Sequence, residues 1–167
     1  FNVLSSQVMQ SLQNVLVRVG QDPQARVVVL THEGKAFCSG HDLREMQAMA
    51  SQAEFETLFA QCTRMMTAVQ QLPVPVIVVV DGVATAAGCQ LVAMCDLAIA
   101  SVASQFAVSG VRLGLFCSTP SVALSRNLSR KAAFEAIHFC PCMLVIKIHG
   151  ECICSNNIDM RWICKGG

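Results

Sequence analysis

Two short stretches of small residues hold the groups from which chemistry could be built: Phe37-Cys38-Ser39-Gly40-His41-Asp42-Leu43 and Ala84-Thr85-Ala86-Ala87-Gly88-Cys89-Gln90-Leu91. Each follows a strongly apolar run and precedes a helical pattern. A strand that ends in a glycine-containing turn and feeds a helix leaves backbone N–H groups unpaired at the helix start. Such groups favour an anion, or a carbonyl oxygen on its way to becoming one. Position 90, where a glutamate would serve as a base, holds Gln90, whose amide can orient a water but cannot accept its proton near neutral pH.

The remaining candidates each have a plainer alternative. His41 titrates close to neutrality and could act as acid or base, or it could simply fill a loop position. Asp42 could be a base or a ligand contact, or the cap of the helix that follows it. Arg44 and Glu45 are expected to be solvated helix residues. Ser109, Ser118, Thr119 and Ser121 include no G-x-S-x-G elbow and have no nameable His and acid partners, so turn and cap roles are expected. Met46, Met49, Met65, Met66 and Met94 could line an acyl tunnel, although methionine at helical spacing usually fills core.

Composition narrows the classes. With 167 residues, 53% hydrophobic and 14% charged, the chain can bury one substantial core. A net charge of +1 with scattered Lys and Arg, and no basic run interleaved with aromatics, excludes a nucleic-acid surface. The longest apolar stretch, Val74 to Val80, contains Pro75 and falls far short of the roughly 20 residues a membrane span needs. Cys38, Cys62, Cys89, Cys95 and Cys117 sit singly among apolar or small residues, as reduced core thiols do, which fits a reducing compartment. Cys140-Pro-Cys142, Cys152-Ile-Cys154, Cys164, His138 and His149 would supply soft ligands, but a one-residue gap strains a tetrahedral zinc site, so no metal is expected.

The elements that must position the two stretches follow from periodicity. Ser5 or Ser6 caps a helix with Val8, Leu12, Val15, Leu16 and Val19 at helical spacing, stopped at Gly20. Arg26 to Thr31 reads as a strand buried on both faces. Helices are expected over Leu43–Ala50 and Glu54–Leu72, the latter with Phe55, Leu58, Phe59, Cys62, Met65, Met66 and Val69 on one side. Pro73-Val-Pro75 launches a second buried strand, Val76–Val80, followed by a helix from about Ala87 to Cys95. Leu97–Ala100 and Gln105–Val108 read as further strands, and Ser121–Leu128 and Arg130–Phe139 as helical pieces. Strands alternating with helices argue an α/β fold with largely parallel pairing.

Four pieces together resemble the crotonase, or enoyl-CoA hydratase/isomerase, superfamily: Ala36 to Met46, Pro73 to Gly82, Ala86 to Asp96, and Gln105 to Gly114. The resemblance implies a crotonase-like spiral of ββα turns that binds an acyl-CoA thioester and needs no cofactor. It implies that the backbone N–H groups of His41 and Ala87 grip the thioester oxygen. Ser39, Gly40, Asp42, Leu43, Gly88, Ser109 and Leu113 would border the acyl-CoA. The positions of the two hydratase glutamates are Gln90 and Gly110, neither able to carry a proton, so strong hydration is not expected.

The resemblance further implies a mitochondrial protein of fatty-acid metabolism, and a fold truncated at both ends. Its first strands would precede Phe1, residues 1–139 would form a partial acyl-CoA-binding core, and residues 140–167 a divergent Cys-rich tail. Homotrimers and hexamers belong to the full-length family rather than to this chain. Two other roles stay open: an active hydratase, isomerase or thioesterase with His41 or Asp42 as base, and a truncated noncatalytic interaction or regulatory product.

Overall fold

A computed structural model of the chain describes residues 1–114 and 116–138; the Cys-rich stretch 140–167 lies outside the described residues. Among the described residues, strands come in pairs separated by helices: β1 Val28–Leu30, β2 Ala36–Cys38, α2 Leu43–Ala48, α3 Gln52–Gln70, β3 Val76–Val80, β4 Val83–Thr85, α4 Ala87–Met94, β5 Leu97–Ala100 and β6 Gln105–Ala107. The helix α1, Ser6–Gly20, precedes them, and a 3-10 turn Ser109–Leu113, α5 Ser118–Asn127 and α6 Arg130–His138 follow. The first strand of each pair joins one sheet, ordered β1-β3-β5, and the second joins another, ordered β2-β4-β6. Every pairing is parallel, as expected where helices provide the crossovers.

The short strands β2 and β4 were not expected from the sequence. They mean that the two small-residue turns are entered from the second sheet rather than directly from the apolar runs β1 and β3. The longer α/β periodicity holds, with α3 and α4 within two residues of their expected starts and ends. Helix α5 begins at Ser118, three residues before the expected Ser121.

Helix ends are set by local polar groups. Ser5 Oγ accepts the Val8 N–H at 3.2 Å to start α1. Ser51 and Glu54 form a reciprocal capping box at the start of α3. Helix α1 buries Leu16, as expected, together with Met9, while the expected Val8 and Val15 are 45% and 41% exposed. The inward stripe is therefore narrower than expected, with Met9, Leu12 and Leu16 set toward the core the helix shares with α3.

Leu58, Cys62, Met65, Met66 and Val69 of α3 join Val76, Val78 and Val80 of β3 and Leu91 of α4 in one core, so five of the seven expected α3 positions are buried and Phe55 is half-buried. Phe59 is the exception at 44% exposed, because it lies beside the His41 ring instead. Strand β1 is not buried on both faces, since Val29 is 44% exposed at the edge of its sheet. Of the methionines, Met65 and Met66 are core, and Met46, Met49 and Met94 pack against it. Among the described residues, no helix is long and apolar enough to cross a membrane.

Candidate functional site

Parallel pairing puts the carboxyl ends of β2, β4 and β6 side by side, with Cys38 opposite Ala84 and Thr85 opposite Ala107. The segments leaving those ends are Ser39–Asp42, Ala86–Gly88 and Val108–Gly110. Ligands of parallel sheets characteristically bind at this edge. The residues singled out from the sequence lie on or next to these segments: Ser39, Gly40, His41 and Asp42, with Leu43 opening α2, on the first; Ala87 and Gly88, with Gln90 in α4, on the second; and Ser109 and Gly110 on the third. Leu113 ends the 3-10 turn on that third segment.

The first two segments touch. The Thr85 hydroxyl donates to the Ser39 carbonyl at 3.1 Å. Gly40 has φ +92, and a Cβ built on it would stand 3.0 Å from the Ala86 Cβ and 3.4 Å from the Ala87 nitrogen. Gly88 packs the start of α4 onto the end of β2, so that a Cβ there would overlap the Cys38 carbonyl and stand 2.7 Å from the Cys38 Cβ. Both glycines are needed for the close approach of two backbones.

The backbone amides have unequal fates. Leu4 forms a parallel bridge with His41, in which the Leu4 N–H donates to the Gly40 carbonyl at 2.8 Å and the Asp42 N–H to the Leu4 carbonyl at 3.4 Å. That pattern leaves the His41 N–H outside the ladder. The Ala86 N–H donates to the Ala107 carbonyl at 2.9 Å, and the Gln90 N–H to the Ala86 carbonyl at 3.0 Å. Ala87, as the first residue of α4, has an N–H with no acceptor inside its helix. Ala86 is held at φ 50, ψ −121, a conformation costly for any residue with a side chain and one that concentrates at functional turns.

The side chains divide into bound and unbound. Asp42 is the cap of α2, accepting the Arg44 N–H at 2.9 Å. Glu45, expected in solvent, instead accepts the Ser6 N–H at 2.9 Å and ties α2 to the first turn of α1. The His41 ring packs edge-on against Phe59, with centroids 5.5 Å apart, and burial holds its pKa below the usual histidine value against the opposing pull of the Leu4 backbone and the Glu45 charge. Its Nδ1 is buried without a partner among the described residues. Gln90 is only 6% exposed, and its Oε1 likewise has no partner among the described residues.

Cys38, Cys62, Cys95 and Cys117 are free thiols, and Cys38, Cys62 and Cys89 are buried. Burial raises Cys38, and lifts Cys62 to about 11 and Cys95 to about 12, so these three stay protonated and unreactive near neutrality. Ser121 lies inside α5 rather than at a turn or cap, and its hydroxyl donates back to the Cys117 carbonyl at 2.6 Å. Among the described residues, no group of three or more His, Cys, Asp or Glu could hold a metal ion. Periodicity and residue type did not point to Phe59 or Glu45 as parts of this neighbourhood. Only the pairing of α1 and α3 with the first turn reveals them.

Residues 1–145 match the family described as enoyl-CoA hydratase/isomerase. The chain is 50% identical over 136 residues to enoyl-CoA hydratase domain-containing protein 3, mitochondrial, of Xenopus laevis, an alignment that covers 81% of this chain and 46% of the relative. A crystal structure of an enoyl-CoA hydratase from Mycobacterium smegmatis superimposes with a TM-score of 0.78 at 57% identity, over 81% of this chain and 52% of that one. Human enoyl-CoA hydratase domain-containing protein 3 does so with a TM-score of 0.77 at 44% identity, over 81% and 53%. The chain spans about half the length of these relatives. The crotonase fold expected from the four sequence pieces is the fold these structures share with it, and the chain belongs to the enoyl-CoA hydratase/isomerase family.

Proposed function

We propose that this chain binds an acyl-CoA thioester with its carbonyl oxygen between the backbone N–H groups of His41 and Ala87, and that it lacks strong hydratase activity. The approach of Gly40 to within a side chain's width of the Ala87 nitrogen carries this reading, because it sets the first turn against the start of α4. Two such donors favour a thioester oxygen that gains negative charge. As main-chain groups they survive any substitution that keeps the turn. In this reading Ser39, Asp42, Leu43, Gly88, Ser109 and Leu113 border the ligand. Gln90 and Gly110 offer no proton carrier for adding water. We assign the chain to mitochondria and to fatty-acid metabolism alongside relatives whose names carry the compartment.

Turnover by another base has less support. The Asp42 carboxylate already accepts the Arg44 N–H, and the His41 ring is packed against Phe59.

Calorimetry on the purified 167-residue chain tests the proposal. Butyryl-CoA is expected to bind, and the S-butyl thioether of CoA, which lacks the carbonyl, to bind about tenfold more weakly, the scale of two lost hydrogen bonds. Equal affinities would overturn the amide grip. Rapid loss of the enoyl absorbance of crotonyl-CoA would overturn the claim of weak hydration.

A further inference from the structure

We infer that Glu45, which lies outside the amide pair, is a positioning residue for it: its carboxylate pins residues 1–6, and that segment fixes the direction of the His41 N–H. The inference rests on the thioester reading above and assigns the residue that holds the first of its two donors.

Gly40 and His41 share one peptide unit, and in a planar trans peptide the carbonyl and the N–H point to opposite sides. The Gly40 carbonyl accepts the Leu4 N–H at 2.8 Å, so the His41 N–H is turned away from residue 4. Gly40 sits at φ +92 and lacks the Cβ that would restrict rotation of this peptide. The direction of the donor therefore depends on Leu4 staying in place.

Leu4 is held from both sides. Before it, Asn2 Nδ2 donates to the Glu33 and Ala36 carbonyls at 2.8 Å each. After it, the Ser6 N–H donates to Glu45 Oε2 at 2.9 Å, and the Ser6 carbonyl accepts from Gln61 Nε2 at 2.7 Å. Ser6 is the first residue of α1, so its N–H has no acceptor within that helix, and the helix dipole favours a carboxylate there. Being charge-assisted, the Glu45 bond is roughly twice as strong as a neutral one. It also closes a ring that the other bonds do not. Glu45 stands on α2, the helix that the first turn feeds, so the path runs from Gly40 through Leu4 and Ser6 to Glu45 and back along α2 to the turn. The turn and the segment that aims it are thereby fixed to one element.

Calorimetry of the full chain and its variants with butyryl-CoA and the S-butyl thioether of CoA tests this. In Glu45→Ala the advantage of the thioester is expected to fall from about tenfold to about threefold, the share of one of two donors, while the affinity for the thioether is unchanged. Glu45→Gln keeps an acceptor for the Ser6 N–H and is expected to retain the full ratio. With butyryl-CoA isotope-labelled at the carbonyl, the infrared carbonyl stretch of the bound ligand is expected to return part of the way to its free frequency in Glu45→Ala and not in Glu45→Gln. If Glu45→Ala does not fold, Asn2→Gly takes its place, since glycine tolerates the φ of 49 at that position while removing the amide, and its ratio is expected to fall as well. An undiminished ratio in the folded variant, or equal weakening of both ligands, overturns the inference. So does a fall in Glu45→Gln as large as in Glu45→Ala, which would assign the effect to the charge rather than to the bond with Ser6. Equal affinities in the unaltered chain remove the thioester reading itself, which is a different outcome.

Discussion

Asp42 shows how a residue's type can be legible while its task is not. A carboxylate beside the candidate amides invites the role of base, yet its oxygen accepts the Arg44 N–H at 2.9 Å and begins α2. The two roles separate by substitution. Asn caps as well as Asp, so Asp42→Asn is expected to leave both melting temperature and thioester affinity unchanged, whereas Asp42→Ala costs about 1 kcal/mol of stability. Loss of turnover or binding in Asp42→Asn, measured beside its thermal melt, would restore the carboxylate as a chemical group. Gln90 and Gly110 were legible outright, because what they lack is fixed by residue type. The burial of the His41 ring against Phe59 was not, since the partner lies 18 residues away on α3, and only tertiary packing joins them.

At the scale of elements, strong periodicity and end signals were legible, and short pairing segments were not. Helix α3 was expected from its apolar stripe and is started by Ser51 and Glu54. Strands β2 and β4, three residues each, are too short for an alternation to register. The capping box makes a pH-dependent contribution whose direction is fixed. Glu54 accepts from the Ala50 N–H at 2.8 Å and from the Ser51 N–H and hydroxyl at 2.9 Å each, and these donors lower its pKa from the ordinary 4.5, the Ala50 bond foremost. Folded chains therefore bind this proton more weakly than unfolded ones. The stabilisation is present above the unfolded value of 4.5 and is lost as pH falls through the lowered folded value. Thermal melts of the chain and of Glu54→Gln are expected to differ near neutral pH, with the variant lower, and to converge as the pH falls well below 4.5. A gap that persists in acid would assign the effect to packing rather than to the ionised cap.

For the molecule as a whole, the alternation of ββα units was legible, but the exposure of the first sheet was not, because strands that are apolar on both faces read as buried on both. The register aligns Val29, Ile77 and Leu97 across β1, β3 and β5, and Val79 with Ile99. The opposite alternation, Val76, Val78 and Val80, faces the core at 1%, 0% and 1% exposure. The outer row therefore forms one apolar surface, with Val29 44%, Leu97 59% and Ile99 46% exposed, bounded among the described residues by edge strands β1 and β5 with unpaired outer edges. Apolar area and open strand edges on one face favour association between copies of the chain. Light scattering over a concentration series is expected to show the mass of the unaltered chain rising, and Leu97→Lys with Ile99→Lys to suppress that rise. The side chains replaced are on the outer face, so the core is untouched and stability should move by no more than about 0.5 kcal/mol for each substitution. A large fall in melting temperature would mean that Leu97 and Ile99 are core after all. Unchanged association at unchanged stability would move the contact to another face, such as the exposed aromatic pair Phe116 and Phe134 beside His138.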